Sequence, residues 1–129
     1  MVSAPPTIEI MDMNDRKASV KDKSEGFAIR IIKLYKYLTA EKNEYVIAKQ
    51  ILRSGTSIGA NLAEADYAIS KSEFLSKLYI SLKETSETLY WLRLLVKTDY
   101  ISEMEYRSLY MDCEEIRKML SASTKTLKS

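Results

Sequence analysis

The chain has 129 residues, 46% of them hydrophobic, with 20 basic and 18 acidic side chains and a formal charge of +2. That length predicts one domain with an ample core, and so small a net charge sets up no strong global field. With no His and a single Cys, Ser-His-Asp and Cys-His catalysis, His-ligated zinc, a Glu-x-x-His di-iron site, an internal disulfide and a Cys-cluster metal site are all excluded.

Three Gly and two Pro in the whole chain argue against a β-rich fold with many turns. The lone Cys113 suits a reducing compartment. No continuous apolar run follows Met1, so a signal peptide is not expected and the cytoplasm is. Residues 1–23 read as a tail: Pro5-Pro6 and mixed charges set no sustained apolar period, which predicts disorder.

Helix one is expected from Ser24, as N-cap, to about Thr39. Phe27, Ile31, Leu34 and Leu38 form its inner stripe, widened by Ala28, Ile32 and Tyr35. Arg30, Lys33, Lys36 and Tyr37 fall on the outer face. Asn43 is the expected N-cap of helix two, with Glu44 favourable in the first turn.

Helix two, expected to run to about Ala68, contains the least usual stretch of the chain, Arg53–Glu64, RSGTSIGANLAE. Its Gly, Ser, Thr and Asn are poor helix formers. Even so, Ile47, Ile51, Gly55, Ile58, Leu62 and Ala65 recur at three or four residues, one face of a helix. Beside them runs a small polar stripe, Ser54, Ser57, Asn61 and Glu64, where a solvated helix would carry Lys and Glu. Such groups pressed against neighbours need hydrogen-bond partners. Gly55-xxx-Gly59-xxx-Ala63 has the small-xxx-small spacing of close helix crossings, but no membrane-length apolar run surrounds it. RSGTSIG is not a phosphate loop, lacking both Gly-Lys-Ser/Thr and a preceding strand.

Helix three opens on a capping box, Ser70-Lys71-Ser72-Glu73, with Ile69 and Phe74 spaced as a hydrophobic staple. Phe74, Leu75, Leu78, Leu82, Thr85, Leu89, Leu92 and Val96 make its apolar stripe, and Lys97-Thr98-Asp99-Tyr100 ends it. Helix four repeats the start with Ser102-Glu103-Met104-Glu105, flanked by Ile101 and Tyr106. Tyr106, Leu109, Cys113, Ile116 and Leu120 continue on one face. Four amphipathic helices on short links predict an all-α, up-down-up-down four-helix bundle over residues 24–127.

The block SGTSIGANLAEADYAISKSEFLSKLYISLKETSETLYWLRLLVKTDYI, residues 54–101, resembles a family of small bacterial four-helix-bundle proteins. These were first found encoded in intervening sequences of the large-subunit ribosomal RNA gene and are often labelled ribosomal-protein-like. A related branch is the accessory protein of diversity-generating retroelements. The resemblance rests on Thr56-Ser57-Ile58-Gly59-Ala60-Asn61-Leu62-Ala63-Glu64, on Ser70, Glu73 and Phe74, and on the run from Leu78 to Leu92. Two places depart from it. Ala65 stands where the family often has Gly, and Asp99 stands where many members have Gly, a turn position that Asp tolerates. The resemblance implies a homopentameric ring without enzyme activity, and nucleic-acid binding through a basic surface in the retroelement branch.

Three groups of residues bear on function. Arg30, Lys33, Lys36, Lys49 and Arg53 are the candidate nucleic-acid face on helices one and two, which ring symmetry would repeat around an axis. Ser54, Ser57, Asn61 and Glu64 are the candidate interface stripe, with Asn61 and Glu64 expected at helix or subunit contacts. Glu64, Glu84 and Glu87 invite a carboxylate metal site, but without His they are better read as ion pairs between helices or subunits. Tyr90-Trp91 is read as core or interface ahead of a base-stacking platform, and Cys113 as inert core. Nine tyrosines exceed what a monomeric core of this size needs, which favours self-association. No cofactor, metal or membrane is expected. The expected partners are further copies of the chain, with RNA, DNA or a protein beyond them.

Overall fold

Ser19, rather than Ser24, starts the bundle. The computed structural model describes residues 19–128. The Ser19 Oγ accepts the Asp22 N–H at 3.0 Å, so Ser19-x-x-Asp22 caps the first helix one turn before the expected place. Helix α1 is Val20–Ala40, α2 Val46–Ala65, α3 Lys71–Lys97 and α4 Glu103–Lys128. Of the expected tail, residues 1–18 lie outside the described residues and 19–23 belong to the cap and first turn of α1. Ser24 is a fully buried helix residue, because it sits on the same face as Phe27 and Ile31.

Helix α1 packs on α2, α2 on α3, α3 on α4 and α4 back on α1, with no diagonal packing among the described residues. That is the expected up-down-up-down bundle. Among the described residues there is no strand. Phe27, Ile31 and Leu38 from α1 and Ile51 and Ile58 from α2 fill the centre with Leu92 and Leu95 from α3 and Leu109, Ile116 and Leu120 from α4. Each such side chain contributes about 1.5–3 kcal/mol by leaving water.

The links settle several end positions. Asn43 does not cap α2. It takes the left-handed conformation, φ 52°, which Asn adopts more readily than most residues. The Glu44 carboxylate caps instead, accepting the N–H groups of Ile47 at 3.1 Å and Ala48 at 2.8 Å. Helix α2 stops at Ala65, short of Ala68, because Tyr67 N–H and Ala68 N–H bond three residues back, to Glu64 and Ala65. The tighter turns break the α-helical ladder.

Both serines cap as expected, and at α3 the glutamate returns the bond. The Ser70 Oγ accepts Glu73 N–H at 3.0 Å and the Glu73 carboxylate accepts Ile69 N–H at 2.9 Å. The Ser102 Oγ accepts Glu105 N–H at 3.1 Å. The staple before α3 does not form, since Ile69 is 94% exposed. Ile101, ahead of α4, is buried. Asp99 has φ 66°, and Tyr100 N–H reaches the Leu95 carbonyl at 2.9 Å to close the end of α3.

Candidate functional site

The five basic residues of the candidate nucleic-acid face do not converge. On α1, Arg30 turns toward α4, where Nη1 pairs with Asp112 at 2.6 Å and Nη2 donates to the Ser108 hydroxyl at 2.9 Å. On α2, Arg53 turns toward α3, where Nη2 meets Glu87 at 2.5 Å and Nη1 meets Glu84 at 3.3 Å. Both guanidiniums are braces across helix seams. Lys33, Lys36 and Lys49 are exposed, and none has an ion pair among the described residues. Exposed Ile29, Ile32 and Val46 lie on the same two helices, so this surface is mixed lysine and apolar rather than a cationic patch.

The Arg53 brace accounts for two of the carboxylates that the sequence offers as a metal site. Hydrogen bonding to Arg53, and then to the Trp91 indole N–H at 2.9 Å, holds the Glu87 carboxyl below the usual carboxylate range. The hydrogen bonds that Arg53 donates to Glu87 and Glu84 in turn hold its guanidinium above the usual arginine value. Glu64 stands apart and pairs with Lys77 of α3 at 2.6 Å. These are the interhelical ion pairs expected.

The polar stripe of α2 divides into three kinds of contact. Ser54 is fully buried, and its hydroxyl shares a 2.9 Å hydrogen bond with Thr88 of α3. Ser57 donates to the Arg53 carbonyl at 2.6 Å and Asn61 Nδ2 to the Ser57 carbonyl at 2.8 Å, both within α2. Glu64 reaches α3 through Lys77. Of the two residues expected at helix or subunit contacts, Glu64 therefore reaches another helix, whereas Asn61 is half-buried and bonds back one turn along its own helix.

What sequence reasoning missed is the answering stripe on α3. Ser81, Thr85 and Thr88 are fully buried, and Ser81 donates to the Ile58 carbonyl at 2.7 Å. Their spacing matches that of the α2 stripe, which is the signal that could have found them. The inward stripe expected on α3 included Thr85 but not Ser81 or Thr88; its Leu78, Thr85, Leu89 and Leu92 are buried, while Phe74, Leu75, Leu82 and Val96 are half-buried. Small residues bring α1 close to α2 as well: a Cβ on Gly59 would lie 3.5 Å from the Ser24 Cβ. The Ser24 hydroxyl there has no partner among the described residues.

The tyrosines also sort by position. Trp91 is half-buried against the core, whereas Tyr90, edge-on to it at 5.0 Å between centroids, is 45% exposed. The aromatic pair is thus half structural and half surface. Tyr67 is 87% exposed in the α2–α3 link. At that end of the bundle an open apolar groove of about 500 Å³ is lined by Val20, Leu62, Phe74, Leu78, Leu120 and Leu127. Cys113 is fully buried, and burial pushes its thiol up to about 12, far from reactive thiolate chemistry. No helix of the described residues is long and apolar enough to cross a membrane.

Comparison with known proteins agrees with this architecture. No functionally curated protein matches the chain. A crystal structure of a protein of unknown function, described as from the S23 ribosomal protein family of Bacteroides thetaiotaomicron, is 54% identical. The match covers 83% of this chain and 99% of that one, with a TM-score of 0.82. The family model for the 23S rRNA-intervening sequence protein matches residues 16–122. Bundle topology, sequence block and matched span agree, and the chain belongs to the 23S rRNA-intervening sequence protein family.

Proposed function

We propose that this protein is a non-enzymatic homo-oligomeric scaffold of the cytoplasm, five subunits in a ring, whose assembled surface engages a nucleic-acid or protein partner. The observation that carries the reading is the outer surface of α1 and α2. Ile29 is 48% exposed and Ile32 40%, on the helix that lines one side of a groove formed by Ala28, Thr56, Gly59, Ala60 and Ala63 with Lys21, Asp22 and Glu25, and Val46, at the start of α2, is 73% exposed. A bundle whose interior is already filled by Leu and Ile has no need of these side chains outside. Exposed apolar area between small residues is what a second helix packs against. A rotation that closes such a contact on itself gives a ring.

Light scattering coupled to size exclusion tests the reading. A pentamer mass that falls on Ile29→Lys with Ile32→Lys, while helicity is kept, supports it. A sharp monomer mass across micromolar concentrations defeats it. The nucleic-acid alternative at α1 and α2 rests on Lys33, Lys36 and Lys49 alone, since Arg30 and Arg53 are engaged elsewhere. Titration of the triple Ala variant of those lysines against wild type reads their share directly.

A further inference from the structure

We propose that the outward face of α3 is a track for single-stranded nucleic acid. The proposal rests on the reading of the protein as a scaffold that engages such a partner, and it names the surface and the form of the ligand. Tyr79, Lys83, Ser86, Tyr90, Arg93 and Lys97 follow one another at alternating steps of four and three residues. On an α-helix that spacing makes a single narrow stripe, and all six side chains are exposed. From Tyr79 to Lys97 the stripe runs about 27 Å at the helical rise.

The stripe carries no carboxylate, and the structure shows why. The acids of α3 are Glu73, Glu84 and Glu87. Glu73 is turned back into the capping box on Ile69, and Glu84 and Glu87 are drawn to the α2 side by Arg53. Lys77, the cation on that same side, is used by Glu64. Charge is thereby sorted across the helix. The α2 seam holds the paired ions, while Lys83, Arg93 and Lys97 on the outer stripe have no ion pair among the described residues. A surface helix ordinarily interleaves both signs.

Two tyrosine rings share the stripe with these cations, Tyr79 one turn ahead of Lys83 at 36% exposure and Tyr90 between Lys83 and Arg93 at 45%. The Arg93 guanidinium lies 5.8 Å from the Tyr90 ring centroid, within cation–π range. Cations that follow a phosphate backbone, with aromatic faces set among them, are the elements of sequence-tolerant single-strand binding. A duplex keeps its bases stacked inside and offers such rings nothing, so charge alone would hold it. An acidic peptide would meet the cations and leave the rings idle. A second copy of the chain would bury the rings without needing a carboxylate-free stripe.

Fluorescence anisotropy with a labelled oligouridylate, an oligothymidylate and a hairpin duplex, at low and moderate salt, tests this. Light scattering is run on every variant. The wild type is expected to hold the single strands more tightly than the duplex. Tyr79→Ala with Tyr90→Ala should weaken single-strand binding at least about tenfold and leave duplex binding unchanged. Lys83→Ala, Arg93→Ala and Lys97→Ala together should flatten the salt dependence by about 2 in slope, about 0.7 for each phosphate no longer neutralised. Both variants alter exposed positions and should keep the wild-type helicity and mass. Equal binding of duplex and single strand, binding unaffected by either variant, or no binding at low salt each overturns the proposal. A fall in mass of either variant shows the stripe to be a subunit contact, which overturns the proposal while leaving the scaffold reading in place.

Discussion

The Cβ that Gly55 lacks would stand 2.8 Å from Cγ1 and 2.9 Å from Cγ2 of Ile31. Ile31 is fully buried and β-branched, so its contact atoms cannot swing away without moving the backbone of α1. Gly55 is therefore the point that sets how closely α1 and α2 approach. Gly55→Ala gains about 1 kcal/mol of helix propensity but meets an overpacking cost of about 1–3 kcal/mol, and net destabilisation is expected. In an Ile31→Ala background both Cγ atoms are gone and only the Cβ, at 3.3 Å, remains close; the space the Cγ atoms vacate lets it give way, so the same change should become stabilising. Gly59→Ala meets the Ser24 Cβ only at 3.5 Å, an ordinary contact, and should stabilise by up to about 1 kcal/mol. Urea denaturation of the four variants reads all three signs. Equal effects of Gly55→Ala with and without Ile31 would show that the crossing is not set there.

The buried hydroxyl pair between α2 and α3 should behave asymmetrically. The Thr88 hydroxyl has a second neighbour, the Glu84 carbonyl at 2.8 Å, whereas the Ser54 hydroxyl has no bond among the described residues other than the one to Thr88. Thr88→Val leaves the Ser54 hydroxyl buried and unpaired, at a cost of about 1–3 kcal/mol. Ser54→Ala leaves Thr88 still bonded and should cost about 1 kcal/mol or less. The double variant should lose less than the sum of the two. Strict additivity in a double-mutant cycle by chemical denaturation would mean that the two hydroxyls do not interact.

Acid should act through the Arg53 brace. Glu87 has its carboxyl lowered in the folded state by the hydrogen bond from Arg53. Its contribution to stability is complete above the unfolded carboxyl value near 4.5, and it is lost as pH falls through the lower folded value. Wild-type stability should therefore drop below about pH 4.5, and Glu87→Gln should show a shallower drop in that window. Parallel melting-temperature profiles of the two proteins would remove Glu87 as a source of acid sensitivity.

Cys113 should be silent in the folded protein. Its sulfur is fully buried and its thiol is pushed up to about 12, so the thiolate is scarce and out of reach. A thiol reagent at mildly alkaline pH should label it only after denaturant is added. Rapid labelling of the native protein would mean that α3 and α4 open locally at Thr85, whose carbonyl the Cys113 Sγ approaches at 3.6 Å.

The sequence by itself determined four helices, their up-down order and most of their inward residues, because a periodic apolar stripe and a Ser-x-x-Glu cap are local properties of the chain. Ser70 and Ser102 both cap where the residues placed them. The two helix starts that went elsewhere were those with two local solutions. Ser19 and Ser24 can each cap a helix, and burial of Ser24 beside Gly59 chose the first. Asn43 can cap or turn, and it turned because the Glu44 carboxylate reached the first N–H groups of α2. Only the tertiary structure decided how the charges were spent. Arg30 and Arg53 look like Lys33 and Lys49 in the sequence, one basic residue on an outer face after another. What separates them is a carboxylate on a different helix, Asp112 for Arg30 and Glu87 for Arg53. Those pairings join residues far apart in the chain, so no local pattern records them. The same long-range pairing drew Glu84 and Glu87 of α3 to one side and left its other side to Tyr79, Lys83, Tyr90, Arg93 and Lys97.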